Sequence, residues 1–219
     1  MDLSSTLLRF RSAVMRGFFH LLYHQLAWTY DGIASLVSLG MWQDWISAAL
    51  PYVHGPSVLE LGPGPGHLQV RLRKAGMSMV VGLDASRQMS GLAYSRLRKR
   101  REVPLIVNGY AQFAPFANAS FHQILATFPT EYIYSPQTVR EISRILIPGG
   151  ECLILPAAWI TAQSFPFRWA ARLFEITGQV PDILPDWTGP FTQAGFSAKT
   201  ISITLPHSRL MIIRARKQV

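Results

Sequence analysis

The sequence predicts an α/β protein: a seven-stranded, mostly parallel sheet with helices on both faces and an antiparallel hairpin at its C-terminal end. Two observations carry this. From about Ser57 onward, short apolar runs alternate with helix-length segments, as expected of strands that return to one sheet through crossover helices. Near the C-terminus, "AKTISITL" and "RLMIIRARK" instead flank the short turn "PHS", which reads as a hairpin closing the edge of the sheet.

In order, the strand candidates are "SVLEL" (57–61), "SMVVGLD" (78–84), "PLIVNG" (104–109), "FHQILATF" (121–128) and "GECLILP" (150–156), followed by the two hairpin arms. Helices fit at roughly 66–75, 86–99 and 136–146. Residues 1–56 are expected to form a helical cap. Within it, "LLRFRSAVMRGFFHLLYHQLAW" places Leu7, Phe10, Val14, Phe18 and Leu21 on one helical face. Residues 57–219 form the main domain, with a lid-like insertion at about 157–190 that contains "SFPFRWAARLFEITG".

With 219 residues the chain can bury one full core. Only 15% of residues are charged and 49% are hydrophobic, which excludes a disordered chain. The formal charge of +9 suits an anionic partner such as acidic lipid, nucleic acid or an anionic metabolite, with simple solubility as the plain alternative. The single Cys152 cannot form an internal disulfide and implies a reducing, cytoplasmic setting. No apolar run reaches the length of a membrane span, and no signal peptide is expected. His20 and His24 have metal-ligand spacing but no evident third ligand, so no metal is expected.

The chemistry starts at "VLELGPGPGHLQV" (58–70), where a buried strand ends in Glu60 and then Gly62, Gly64 and Gly66. A strand, a glycine turn and a helix form a nucleotide-binding start, because glycines let the backbone approach a ligand. A carboxylate beside the loop repels a pyrophosphate but welcomes a cationic ligand. S-adenosylmethionine (SAM) carries a sulfonium and an ammonium and no phosphate. Asp84 follows Gly66 by 18 residues, where an acid can accept the ribose hydroxyls.

Together "LELGPGPG" and "VVGLDAS" resemble the class I SAM-dependent methyltransferases, of the broad group that includes the ubiquinone and menaquinone C-methyltransferases. The resemblance spans nearly the whole chain and implies a Rossmann-like fold, methyl transfer and SAM as cofactor. It assigns cofactor contacts to Glu60, Gly62, Gly64, Gly66 and Asp84, with Ala85, Met89 and Thr127 completing the set. "NGYAQFAPF" resembles the adenine-binding loop, with Ala111 and Gln112 against the adenine and Tyr110 where the family carries an acid. His122 stands where the family's fourth strand has an acid, and "REISRILIPGGECLIL" matches a structural helix, turn and strand. Upstream, "YDGIASLVSLGMWQDW" resembles the group's N-terminal segment, whose tyrosine approaches cofactor and substrate and here is Tyr30.

Sulfonium methyl transfer needs no acid for the leaving group, only an acceptor aligned in line and sheltered from water. "ATFPTEYIY" leaves the fourth strand at the reactive end of the sheet. Glu131 and Tyr30 are the catalytic candidates, and Pro129, Thr130 and Tyr132 the substrate contacts, with Phe165 and Trp169 of the lid. The expected acceptor is a hydrophobic small molecule or lipid headgroup. Reversible contact with an anionic membrane is expected through Arg9, Arg11 and Arg16 at one end and Arg168 and Arg172 at the other. The alternatives are a nucleic-acid methyltransferase, disfavoured because "TFPT" is not the base-holding Asn/Asp-Pro-Pro-aromatic tetrad, and a non-catalytic protein of the same fold.

Overall fold

The computed structural model describes residues 30–161 and 186–218. Ahead of the sheet stand α1 (Tyr30–Val37), α2 (Trp42–Ser47) and a 3-10 turn at Leu50–Tyr52. Then follow β1 (Ser57–Leu61), α3 (His67–Lys74), β2 (Met79–Asp84), α4 (Arg87–Lys99), β3 (Ile106–Asn108), β4 (Phe121–Thr127), α5 (Pro136–Ile145) and β5 (Leu146–Ile160). Beyond residue 185 come α6 (Gly189–Gln193), β6 (Phe196–Leu205) and β7 (Ser208–Lys217). Two further 3-10 turns, Ala111–Phe113 and Glu131–Tyr134, stand before and after β4.

The seven strands lie in the order β3-β2-β1-β4-β5-β7-β6. β1 to β5 run parallel, and β7 joins β5 antiparallel with β6 hairpinned outside it. The helices start where their sequences say they should. Ser86 caps α4 by accepting from the Met89 amide at 3.2 Å, and Ser135 caps α5 by accepting from the Thr138 amide at 3.2 Å with Pro136 behind it.

Alternate residues of each strand feed opposite faces of the sheet. Leu59, Leu61, Leu83 and Ile124 pack with Val139, Ile142 and Ile145 of α5 and with Phe191 of α6. Val58, Val80, Leu125 and Leu153 pack on the other face with Leu68 and Leu72 of α3 and Trp45 of α2. The segment 30–56 is tied into this second face: Trp45 is fully buried, and its Nε1–H donates to Ser208 Oγ at 2.8 Å.

Two strands differ from their sequence limits. β3 shrinks to three residues because, as an edge strand, it is held only where it pairs with β2. β5 runs from 146 to 160 rather than 150 to 156. Its register shifts between Ile154 and Ala157, at Pro156, which has no N–H to give, and pairing with β7 resumes from Ala157 to Ile160. The first residues of the expected insertion are therefore strand, and Gly189 and Pro190 open α6. Its central part, with Phe165, Arg168, Trp169 and Arg172, lies outside the described residues, as does the amphipathic stretch before residue 30. No described helix is long and apolar enough to cross a membrane. Cys152 is fully buried in β5, where burial pushes its thiol pKa well up, as fits a structural residue.

Candidate active site

The carboxyl ends of β1 to β4 converge on one site. The loop after β1 is stitched to β2: the Gly62 amide donates to Leu83 O at 2.9 Å, and the Gly64 amide to Asp84 Oδ2 at 3.1 Å. The other carboxylate oxygen of Asp84 accepts from the Ser86 amide at 2.8 Å. Its main-chain oxygen accepts from the Gly109 amide at 3.0 Å and from Asn108 Nδ2 at 2.8 Å, which brings in the end of β3. Gly62 has φ +69, and a Cβ there would stand 3.1 Å from the Tyr132 hydroxyl. At Gly66 (φ +82) a Cβ would sit 2.9 Å from Cα of Ala93, so this glycine lets α3 pack against α4.

Between these strand ends lies a cavity of about 350 Å³. One half is lined by Gly62, Gly64, Asp84, Ala85, Ser86 and Met89 together with Gly109 to Gln112. The other half is lined by Thr127 to Thr130 and Tyr132. Most of the residues singled out from the sequence are thus brought together, including Ala111, Gln112, Thr127, Pro129 and Thr130.

Some expected members fall elsewhere. Glu60 is 1% exposed and sits behind the loop, outside the lining, where its Oε2 accepts from Gln69 Nε2 at 2.8 Å. Burial, opposed by that hydrogen bond and reinforced by the Asp84 charge, raises its pKa to about 7. Gly66 serves helix packing rather than the cavity wall. Glu131 is exposed and outside the lining, because the tight turn it opens sends Tyr132 to the cavity and Ile133 into the core. His122 lies at the other end of β4, with Nδ1 2.7 Å from Ser57 Oγ. Tyr30 opens α1, while Phe165 and Trp169 are outside the described residues. No described group of His, Cys, Asp and Glu could hold a metal.

Three contributors have a role that the sequence does not show. Phe128 has φ +48, a left-handed backbone that side chains rarely adopt. Its amide is fixed to Leu155 O at 2.7 Å, and its ring lies 4.5 Å from that of Trp42 and 6.0 Å from that of Trp45. Arg144 of α5 reaches under the 110–118 loop and donates to Phe116 O at 2.7 Å and Ala114 O at 2.9 Å, steadied by Glu141 at 2.8 Å. Asp31 of α1 spans His67 Nε2 at 2.8 Å and Arg96 Nη2 at 2.5 Å, and Arg96 also donates to Pro65 O in the glycine loop. The His67 hydrogen bond, with both partners' charges, holds the Asp31 carboxyl below its usual pKa.

A family profile described as a methyltransferase domain matches residues 59–154, the stretch that supplies the whole of this lining. A demethylmenaquinone methyltransferase of Chlorobaculum parvum is 31% identical over 186 residues, which cover 80% of this chain and 72% of that one. The chain belongs to the class I SAM-dependent methyltransferases. A ubiquinone/menaquinone biosynthesis C-methyltransferase of Blochmanniella floridana is 26% identical to this methyltransferase over 171 residues, 74% of this chain and 67% of its own. Among solved structures, the geranyl diphosphate C-methyltransferase of Streptomyces coelicolor, in complex with S-adenosyl-L-homocysteine, matches with a TM-score of 0.59 at 14% identity. That match covers 80% of this chain and 78% of the other. The phosphoethanolamine N-methyltransferase 2 of Haemonchus contortus matches with a TM-score of 0.60 at 16% identity, covering 82% and 53%. Both likenesses are of fold. The methyltransferase uses SAM as its cofactor.

Proposed function

We propose that this methyltransferase transfers the SAM methyl group to a hydrophobic small molecule or lipid headgroup by in-line displacement. One observation carries the reading: Asp84 and the glycine loop form one half of the cavity, while Phe128, Pro129 and Tyr132 make the other half apolar and aromatic. The residues fit SAM. The cavity volume lies in the range of small-ligand sites. The Asp84 carboxylate is already oriented by two backbone amides, and a Cβ at Gly62 would stand 3.1 Å from the Tyr132 hydroxyl, narrowing the cavity wall.

Bound SAM supplies a methyl group on a sulfonium, already activated for attack. Asp84 would hold the ribose hydroxyls, Gly62 and Gly64 would admit the chain of the ligand close to backbone, and Ala111 and Gln112 would flank the adenine. Phe128, Pro129, Thr130 and Tyr132 would position the acceptor and exclude water, which by itself is worth several kcal/mol in effective concentration. Asp84 is the lone carboxylate in the described lining, and no histidine stands there. That favours an acceptor needing no strong base at the point of attack. Tyr30 is proposed to approach from the cap: its neighbour Asp31 is fastened to His67 beside the glycine loop. Glu131 would act from the rim. The names of the sequence relatives support an apolar acceptor, since those proteins are ubiquinone/menaquinone and demethylmenaquinone methyltransferases.

The test is incubation with methyl-labelled SAM and either a total lipid extract or total nucleic acid. Label in an extractable apolar product supports the reading. Label confined to nucleic acid, or SAM binding with no transfer to any lipid-phase product, would sink it.

A further inference from the structure

We propose that the end of the sheet opposite the cavity is a docking surface for an anionic lipid bilayer. It goes beyond the reaction: a bilayer held here lies away from the cavity mouth, so it anchors the protein and does not itself present the acceptor. α3 and α4 pack side by side and end together, at the edge where the strands begin. Lys74 closes α3, Arg98 and Lys99 close α4, and Arg100 and Arg101 follow immediately. All five side chains are exposed, and none forms an ion pair among the described residues. Other arginines do find carboxylates: Arg96 has Asp31, Arg144 has Glu141 and Arg214 has Glu151.

Helix-dipole compensation accounts for cations within a last turn. It does not account for Arg100 and Arg101, which lie past it. Arg101 sits at φ +60, with its amide on Arg98 O and the next amide, that of Glu102, on Leu97 O. That is a helix-ending turn whose left-handed position ordinarily takes glycine. An arginine there is a backbone cost accepted at an exposed point, where it adds a cation.

Exposed apolar side chains stand close to these cations in the chain. Val103 is 66% exposed, Met79 39% and Leu105 37%. They belong together: the Leu105 carbonyl accepts from the Gly82 amide at 2.8 Å, so residues 103–105 run beside the start of β2. Aliphatic side chains that follow lysine and arginine in the chain, with Glu102 the one acid between them, suit the headgroup–acyl boundary, where the cations meet acidic headgroups and the aliphatic groups enter below them. A single-stranded nucleic acid favours a series of aromatic platforms; α4 offers one exposed ring, Tyr94, a turn before Arg98, whereas Val103, Met79 and Leu105 are aliphatic. The cavity opens at the other end of the strands, about 20 Å away at 3.3 Å per residue over β2. A bilayer docked here therefore leaves the mouth uncovered.

The test is co-sedimentation of the full chain with vesicles of phosphatidylcholine alone or mixed with phosphatidylglycerol, at low and high salt. Wild type should pellet with the anionic vesicles and be released by salt. Lys99→Glu/Arg100→Glu should lower partitioning roughly thirtyfold, at roughly fivefold per cation removed, and reversal of charge should deepen the loss. Val103→Ser should weaken binding at high salt more than at low salt. SAM affinity of both variants should equal wild type, which reports an intact fold and separates this surface from the reaction. Arg9→Glu/Arg11→Glu serves as the control for the N-terminal segment and should still pellet. The proposal is overturned if wild type ignores anionic vesicles, if Lys99→Glu/Arg100→Glu pellets as wild type does, or if the same surface retains a labelled RNA while vesicles are not bound.

Discussion

The two halves of the cavity are built in different ways. The half around Asp84 is backbone: glycine amides, strand ends and one carboxylate, connected by hydrogen bonds within and between neighbouring strands. The half around Phe128 is side chain, a ring in a strained backbone setting supported by Trp42 and Trp45 from far upstream. On the proposed reading the first half would hold a ligand that does not change, so its backbone geometry can be fixed once, and the second would face the acceptor, where shape is set by what distant segments bring. A change in the first half should therefore act on SAM binding, and a change in the second on turnover.

The largest effect expected is at Asp84. Asp84→Ala removes hydrogen bonds to a charged acceptor, and SAM affinity by calorimetry should fall about a hundredfold. Unchanged affinity would break the division at its root. Phe128→Ala should cost about 2 kcal/mol in a chemical melt and lower turnover more than SAM affinity. Phe128→Gly should recover about 1 kcal/mol of that loss, since glycine is at ease at positive φ. A glycine variant no more stable than the alanine one would show that the strain is not real. Arg144→Ala frees the 110–118 loop on the SAM side, and affinity should weaken about fivefold, one to two hydrogen bonds' worth, with turnover at saturating SAM kept.

The smallest effect is in pH. Glu60 holds its proton in the folded protein up to about pH 7, whereas in the unfolded chain it ionises near its ordinary value. The folded state then carries the extra proton, so this group's contribution to stability falls as pH rises between those values and levels off above pH 7. The positive charge of SAM favours the ionised form. Binding should release protons near neutrality and tighten severalfold from about pH 6 to about pH 8, with the midpoint shifting to the acidic side in the complex. Calorimetry in buffers of different ionisation enthalpy measures that release. A Glu60→Gln protein that keeps the same proton release would assign it to another group.

The sequence is legible where a requirement is local. Alternating apolar runs mark β1, β2 and β4, because each buries both faces in a parallel sheet. Gly62, Gly64 and Asp84 are readable as one wall of the cavity because a glycine turn and an acid at the end of the next strand recur at that spacing. The extension of β5 past Pro156 is not readable, since it depends on β7, more than fifty residues later. Phe128 and Arg144 are not readable for the same reason, since each acts through partners remote in the chain; Asp31 stands in the recognisable "YDGIASLVSLGMWQDW" segment, but its partners His67 and Arg96 are equally remote. Glu131 shows the converse. Its type and position suggest a base within the cavity, but a one-residue phase in a 3-10 turn decides which side chain lines it, and that is Tyr132, which leaves Glu131 at the rim.

The Asp31 clasp bears on how separable the parts of this molecule are. Asp31, His67 and Arg96 come from three helices, and Arg96 continues to the Pro65 carbonyl of the glycine loop. Trp45 meanwhile reaches across to Ser208 at the start of the last strand. A shortened protein beginning at residue 57 would keep every described member of the cavity wall, yet would remove the carboxylate that His67 and Arg96 share and leave the Ser208 hydroxyl without the indole. The residues ahead of the sheet are thus part of the loop's mounting, and the smallest working unit is longer than the stretch that carries the signature.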